Sequence, residues 1–218
     1  MLGRQFYLRG TLDDWRRARE AYQRAVSLDK TYAAAWAGLA SSTFFVGDYG
    51  TARADAPPVF QEARDAADKA VALGPEVAAA YRARGLIRLT LDWNWEGMGT
   101  DFQHALSLEP ENPDAIADYA GYFLRIMGRK TEELLLMRRA AELDPLSAGV
   151  WSRLGRVLME TGDQNAARAA FERAIELAPS NGSAGTWLAI SFLLDGGPPT
   201  RSPRPAGRAR CSTGSRAR

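Results

Sequence analysis

Apolar residues recur three and four positions apart along most of this chain, the spacing that lines one face of an α-helix. The clearest stretch, 148–179, reads AGVWSRLGRVLMETGDQNAARAAFERAIELAP. Trp151, Leu154, Leu158 and Phe171 supply bulk, while Gly155, Ala167 and Ala174 supply room. Gly162 marks a turn between two helices. Pro179 ends the second, because proline removes a backbone donor and disfavours helix in the residue before it. The pattern predicts two antiparallel helices that approach closely at Gly155.

The same register returns along the chain. Residues 114–145 carry Ala120, Gly121, Leu124, Gly128, Met137, Ala140 and Pro145. Residues 78–110 carry Tyr81, Gly85, Phe102, Ala105 and Pro110, with one extra residue near Asp92-Trp93-Asn94-Trp95. Residues 33–75 carry Trp36, Leu39, Ala40, Gly47, Ala63, Ala67, Ala70 and Pro75, and are longer by eleven residues around 48–58. Gly10, Ala18, Tyr22 and Ala25 mark a copy whose first helix is shortened, and 182–195 reads as a first helix without its second. Pro75, Pro110, Pro145 and Pro179 follow one another at intervals of 35, 35 and 34. The reading predicts ten helical segments in an all-α solenoid over 1–195, stabilised copy against copy.

Trp151, Leu154-Gly155, Leu158, Gly162, Ala167, Phe171, Ala174 and Pro179 together resemble the tetratricopeptide repeat (TPR). The resemblance implies a right-handed superhelix that binds proteins and does no catalysis. The order of variants is also informative: an insertion with Gly47-Asp48-Tyr49-Gly50 and Pro57-Pro58, then Leu91-Asp92-Trp93-Asn94-Trp95-Glu96-Gly97, then Ala141-Glu142-Leu143-Asp144-Pro145-Leu146-Ser147. This succession resembles the C-terminal TPR region of bacterial signalling proteins, where it follows a cyclase, kinase or winged-helix domain. No residue that would carry those effector activities is present, so none is transferred. The expectation is a non-catalytic scaffold. The alternative is a regulatory fragment of such a signalling protein.

By the same resemblance, the first helices of successive repeats line a concave face. Their side chains directed away from the partner helix are Arg82, then Asp118, Tyr119, Tyr122 and Arg125, then Ser152, Arg153 and Arg156, and finally Trp187. Tyrosine, tryptophan and arginine are the residues enriched at interface hot spots. Four arginines against one aspartate predict a groove for a peptide or partner helix, acidic or ending in a carboxylate. Ala37, Ser41, Arg82 and Leu86 stand where carboxylate-clamp TPRs of chaperone adaptors carry lysines and asparagines, so chaperone tails are not the expected ligand.

Charge and composition narrow the picture further. The net charge is +2, yet residues 196–218 hold six arginines and no acid, leaving 22 basic against 26 acidic residues in the body. This tail, rich in Pro and Gly, reads as disordered. Its arginines could touch phosphates without sequence preference, but an altered or truncated repeat explains the abrupt change at Gly196 better, and nucleic acid is not an expected partner. The lone Cys211 fits a reducing cytosol, and neither a secretory signal nor a membrane span is read. His104 stands alone and no phosphate-binding glycine motif occurs, so no metal, cofactor or catalytic site is expected. Trp93 and Trp95 are expected to pack, at least one of them, over their helix pair. The apolar helix ending in Phe192-Leu193-Leu194 lacks a cover and predicts self-association.

Overall fold

The computed structural model describes residues 2–50, 56–179 and 182–194. The expected disordered tail and part of the 48–58 insertion lie outside them. Every regular element described is helical: α1 (Leu2–Arg9), α2 (Leu12–Leu28), α3 (Ala33–Gly50), α4 (Ala56–Leu73), α5 (Ala78–Thr90), α6 (Trp95–Leu108), α7 (Pro113–Asp118), α8 (Lys130–Leu143), α9 (Ala148–Glu160), α10 (Gln164–Leu177) and α11 (Gly182–Leu194). The chain of α7 runs on without a break as a π-helical turn, Tyr119–Leu124. These eleven α-helices among the described residues are one more than the ten read from the pattern.

The pairs α3/α4, α5/α6, α7/α8 and α9/α10 stack in sequence, so the architecture is an α-solenoid. Side-chain caps start the helices: Asn112 accepts from the Asp114 and Ala115 amides beside Pro113, Ser147 from Val150, and Asp163 from Ala166. Inside two pairs a left-handed glycine closes the first helix. At Gly162 (φ +92°) the Asp163 amide reaches back to Leu158, and at Gly128 (φ +70°) the Arg129 amide reaches Leu124. In α5 the same place is taken by Trp93 at φ +53°, and the Asn94 amide returns to Arg88, six residues back. The extra residue of that repeat is absorbed in this widened turn. Contrary to expectation, neither indole covers the helix pair: Trp93 and Trp95 are both exposed and meet each other edge to face at 5.7 Å.

The core follows the expected exchange of bulk for room. A Cβ at Gly85 would lie 2.7 Å from the Phe102 ring, and one at Gly155 would lie 2.6 Å from the Phe171 ring. Both phenylalanines are fully buried, and Ala105, Ala167 and Ala174 close the space around them. Asp101, also buried, receives a fork from Arg84 (3.0 and 2.7 Å) and a bond from Arg88 (2.9 Å), which pins α5 to α6. Trp36 and Trp151 repeat one contact, each donating its indole N–H at 2.9 Å to a carbonyl six residues earlier, Lys30 and Pro145. On α11, Trp187 and Leu188 pack inward while Leu193 and Leu194 stay exposed. Among the described residues, no helix is long and apolar enough to cross a membrane.

The close approach at Gly155 sets a measurable cost. Gly155→Val should lower unfolding stability by about 1–3 kcal/mol, the usual penalty of overpacking. Gly185, helical and with nothing within 4 Å of its would-be Cβ, is the control. Gly185→Ala should gain up to about 1 kcal/mol from helix propensity alone. Urea unfolding of the two variants checks both signs.

Candidate binding groove

α5, α7 and α9 are the first helices of three successive repeats, and Arg82, Asp118 and Ser152 stand at the same place in each, three residues before Gly85, Gly121 and Gly155. Stacking the repeats therefore stacks these positions. Asp118 is buried between two arginines from its neighbours: Arg82 Nε donates to Oδ2 at 2.8 Å, and Arg153 Nη1 donates to Oδ1 at 2.8 Å. Arg82 also reaches Asp114 at 3.5 Å. Arg153 Nη2 donates to the Tyr122 hydroxyl at 3.2 Å, with its guanidinium over that ring at 4.8 Å. Tyr122 in turn stacks on Phe102 at 5.8 Å. Burial alone would raise the Asp118 carboxyl, but the paired cations of Arg82 and Arg153 outweigh it and hold it below the usual carboxylate range. One aspartate thus ties three repeats together.

A second group gathers around the turn joining the π-helical segment to α8. Arg125 is paired with Glu160, and Lys130 lies 3.9 Å from the same carboxylate. Glu133 is buried and its Oε2 has no hydrogen-bond partner. The buried Arg125 Nη1 and Arg156 Nε likewise have none. The Arg156 guanidinium sits 5.8 Å from the Trp187 ring centroid. Burial, then the neighbouring Arg125 and Arg153, push the Arg156 guanidinium down. Burial pushes the Glu133 carboxyl up, against the pull of Arg125.

The expected groove residues divide accordingly. Arg82, Asp118, Tyr122 and Arg153 meet in one network; Arg125, Arg156 and Trp187 border the second group. Tyr119 stacks on Phe123 at 5.4 Å, and Ser152 is half-buried beside Arg153. A cleft of about 1150 Å³ runs past Arg82, Asp118 and Arg153 and is closed on one side by α1, through Arg4, Tyr7 and Leu8. Sequence reasoning missed this wall and the aromatic residues behind it. Trp15 stacks on Phe45 at 4.7 Å, Tyr7 lies 5.9 Å from Phe45, and Tyr49 lies 5.1 Å from Trp15. The signal available was the Phe6-Tyr7 pair in a segment too short to be a repeat helix. His104 is exposed with its ring edge-on to Tyr81 at 4.2 Å, and among the described residues no group of His, Cys, Asp and Glu side chains could hold a metal ion.

Asp118 and Glu133 predict opposite responses to pH. The folded state lowers the Asp118 pKa, so its contribution is present above the unfolded value and lost as pH falls through the folded one. Asp118→Asn should cost about 3–5 kcal/mol at pH 7, because it strands two buried cations, and the cost should shrink below about pH 4. The folded state raises the Glu133 pKa, so its contribution is present below the ordinary 4.5 and lost as pH rises. Glu133→Gln should therefore gain on the parent as pH increases. Urea unfolding of both variants at several pH values reads the two slopes.

A search of the curated proteins finds no match to the chain. Among solved structures, TTC0263, a thermophilic TPR protein of Thermus thermophilus, is similar at 18% identity and a TM-score of 0.67, over 88% of this chain and 96% of that one. The human IFIT1 dimer with m7Gppp-AAAA is similar at 20% identity and a TM-score of 0.70, over 86% of this chain and 43% of the human one. Such identities speak for the fold alone. The family model described as Tetratricopeptide repeat matches residues 148–181, the α9/α10 pair, and the stacked helix pairs share the solenoid fold of those structures.

Proposed function

We propose that this protein is an interaction scaffold whose concave groove takes a peptide or a partner helix, and that an acidic side chain or terminal carboxylate of that partner docks between Arg125 and Arg156 against Trp187. The observation that carries this reading is the crowding of Arg125, Arg153 and Arg156: burial, and then that crowding, pushes the Arg156 guanidinium down. Arg125 and Arg156 are both partly exposed, and a partner carboxylate taking charge-assisted bonds from their exposed N–H groups would relieve that crowding. The repeat fold supports the scaffold role, since solenoids present extended concave faces for binding. Arg82 and Arg153 contribute less to acid recognition than their number suggests, because Asp118 and Asp114 already neutralise them. The same groove would serve a regulatory region in a larger signalling protein, the setting that the order of variant repeats resembles.

The test is selection of helical peptides against the full chain, followed by fluorescence anisotropy on the tightest binders. Binders should carry an acid whose replacement by its amide weakens binding at least tenfold, with affinity falling as salt rises. Arg156→Glu together with Tyr122→Ala should abolish binding. Binders without an acid, or undiminished affinity in the double variant, would contradict the reading.

A further inference from the structure

The turn that joins α5 to α6 sets an aromatic residue where later repeats set glycine. Gly128 and Gly162 close the first helices of their pairs in the left-handed region; after α5 that place belongs to Trp93, at φ +53°. Among the described residues it is the one non-glycine with positive φ. A bulky side chain is strained there. Burial does not offset the strain, because Trp93 is 70% exposed. The turn is nevertheless held firmly. Asn94 returns its amide to the Arg88 carbonyl, and its side chain caps α6 by accepting from the Gly97 amide at 2.8 Å. Arg64 on α4 donates to Asp92 at 2.7 Å and to the Leu91 carbonyl, and Arg88 donates to the Gly97 carbonyl at 3.2 Å. Strain kept at an exposed position by a well-tied turn is a mark of function.

The surface this turn presents has a defined chemistry. Trp93 and Trp95 meet at 5.7 Å with their planes at 76°, so the two rings form the walls of an open corner. Trp95 is 40% exposed. The flanking carboxylates differ. Asp92 is met by Arg64, whereas Glu96, exposed in the first turn of α6, has no ion pair among the described residues. Two indoles beside an unmet carboxylate are complementary to a cation. A corner of two rings is too open to strip the water from an ammonium group. A guanidinium is planar and weakly hydrated, and it can stack on one ring while its edge N–H groups reach a carboxylate. No residue from 91 to 97 lines the concave cleft, so this surface is separate from it.

We propose that the Trp93–Trp95 corner is a second docking site, which receives an arginine side chain of a partner protein by stacking it on the indoles and pairing it with Glu96.

Trp93→Gly gives this turn the residue that the later repeats use. The variant should unfold at an equal or higher urea concentration than the parent, since the strain goes and little packing is lost. A clearly lower midpoint would make Trp93 a structural residue and overturn the proposal. Binding is read with a displayed library of unstructured peptides, selected on the full chain and counter-selected on its Trp93→Gly variant. Peptides that distinguish the two proteins should carry an arginine. Replacing that arginine by citrulline, its neutral isostere, should weaken binding about tenfold. Glu96→Gln should weaken it about threefold, the scale of an exposed ion pair. In NMR titrations the indole N–H signals of Trp93 and Trp95 should move, while those of Trp36 and Trp151, already bonded to carbonyls, stay in place. Failure to select any peptide that distinguishes the two proteins would overturn the proposal. So would an arginine exchanged for lysine without loss, or shifts confined to other tryptophans.

Discussion

The solenoid depends on side chains that are absent. Gly85 and Gly155 leave room for Phe102 and Phe171 to fill the seam between paired helices, and added Cβ atoms would lie under 3 Å from those rings. That approach fixes how the two helices of a pair sit, and alanines around the phenylalanines carry the fit into the neighbouring pair. Interiors packed at this density transmit position accurately. Side chains at equal places in successive first helices are thereby brought into register across the concave face.

Register is what makes the Asp118 network possible. Its carboxylate can serve two arginines only because α5, α7 and α9 present their faces to one another at fixed spacing. The network then returns something to the stack: a shared, buried charge that ties three repeats together where purely apolar contacts join only neighbours. It also sets two clusters apart. One is internally neutral and borders the cleft together with Tyr7, and the other keeps guanidinium donors without acceptors around Arg125 and Arg156.

The sequence disclosed these features unevenly. The repeat signature is local, because each helix pair needs its own small residues, and so the pairs were legible from spacing alone. Arg82 and Asp118 were legible as groove residues because they share a place in the repeat. Arg153 stands one residue beyond that place, and its bond to Asp118 depends on how α9 sits beside the π-helical turn after α7, which no period announces. Tyr119 has the right composition and stacks on Phe123. Trp93 and Trp95 read as packing residues because tryptophan usually is buried; the widened turn after α5 instead holds both outside. α1 was legible only as a shortened first helix, since its packing on α2 follows the repeat while its place beside the cleft follows from the stack as a whole.

The charge reading needed the same refinement. Counting arginines along the groove gives an excess of positive charge, but a count does not register which charges are already met. Asp118 and Asp114 answer Arg82 and Arg153, so the crowding at Arg125 and Arg156, more than the total, marks where an acid would dock. The carboxylate at the centre of this account can be observed directly by titrating the Asp118 side-chain carboxyl carbon by NMR in the intact chain. The account requires a midpoint below the ordinary 3.8. A midpoint at or above that value would mean that Asp118 is not held between the two arginines, and that the three repeats are not joined through it.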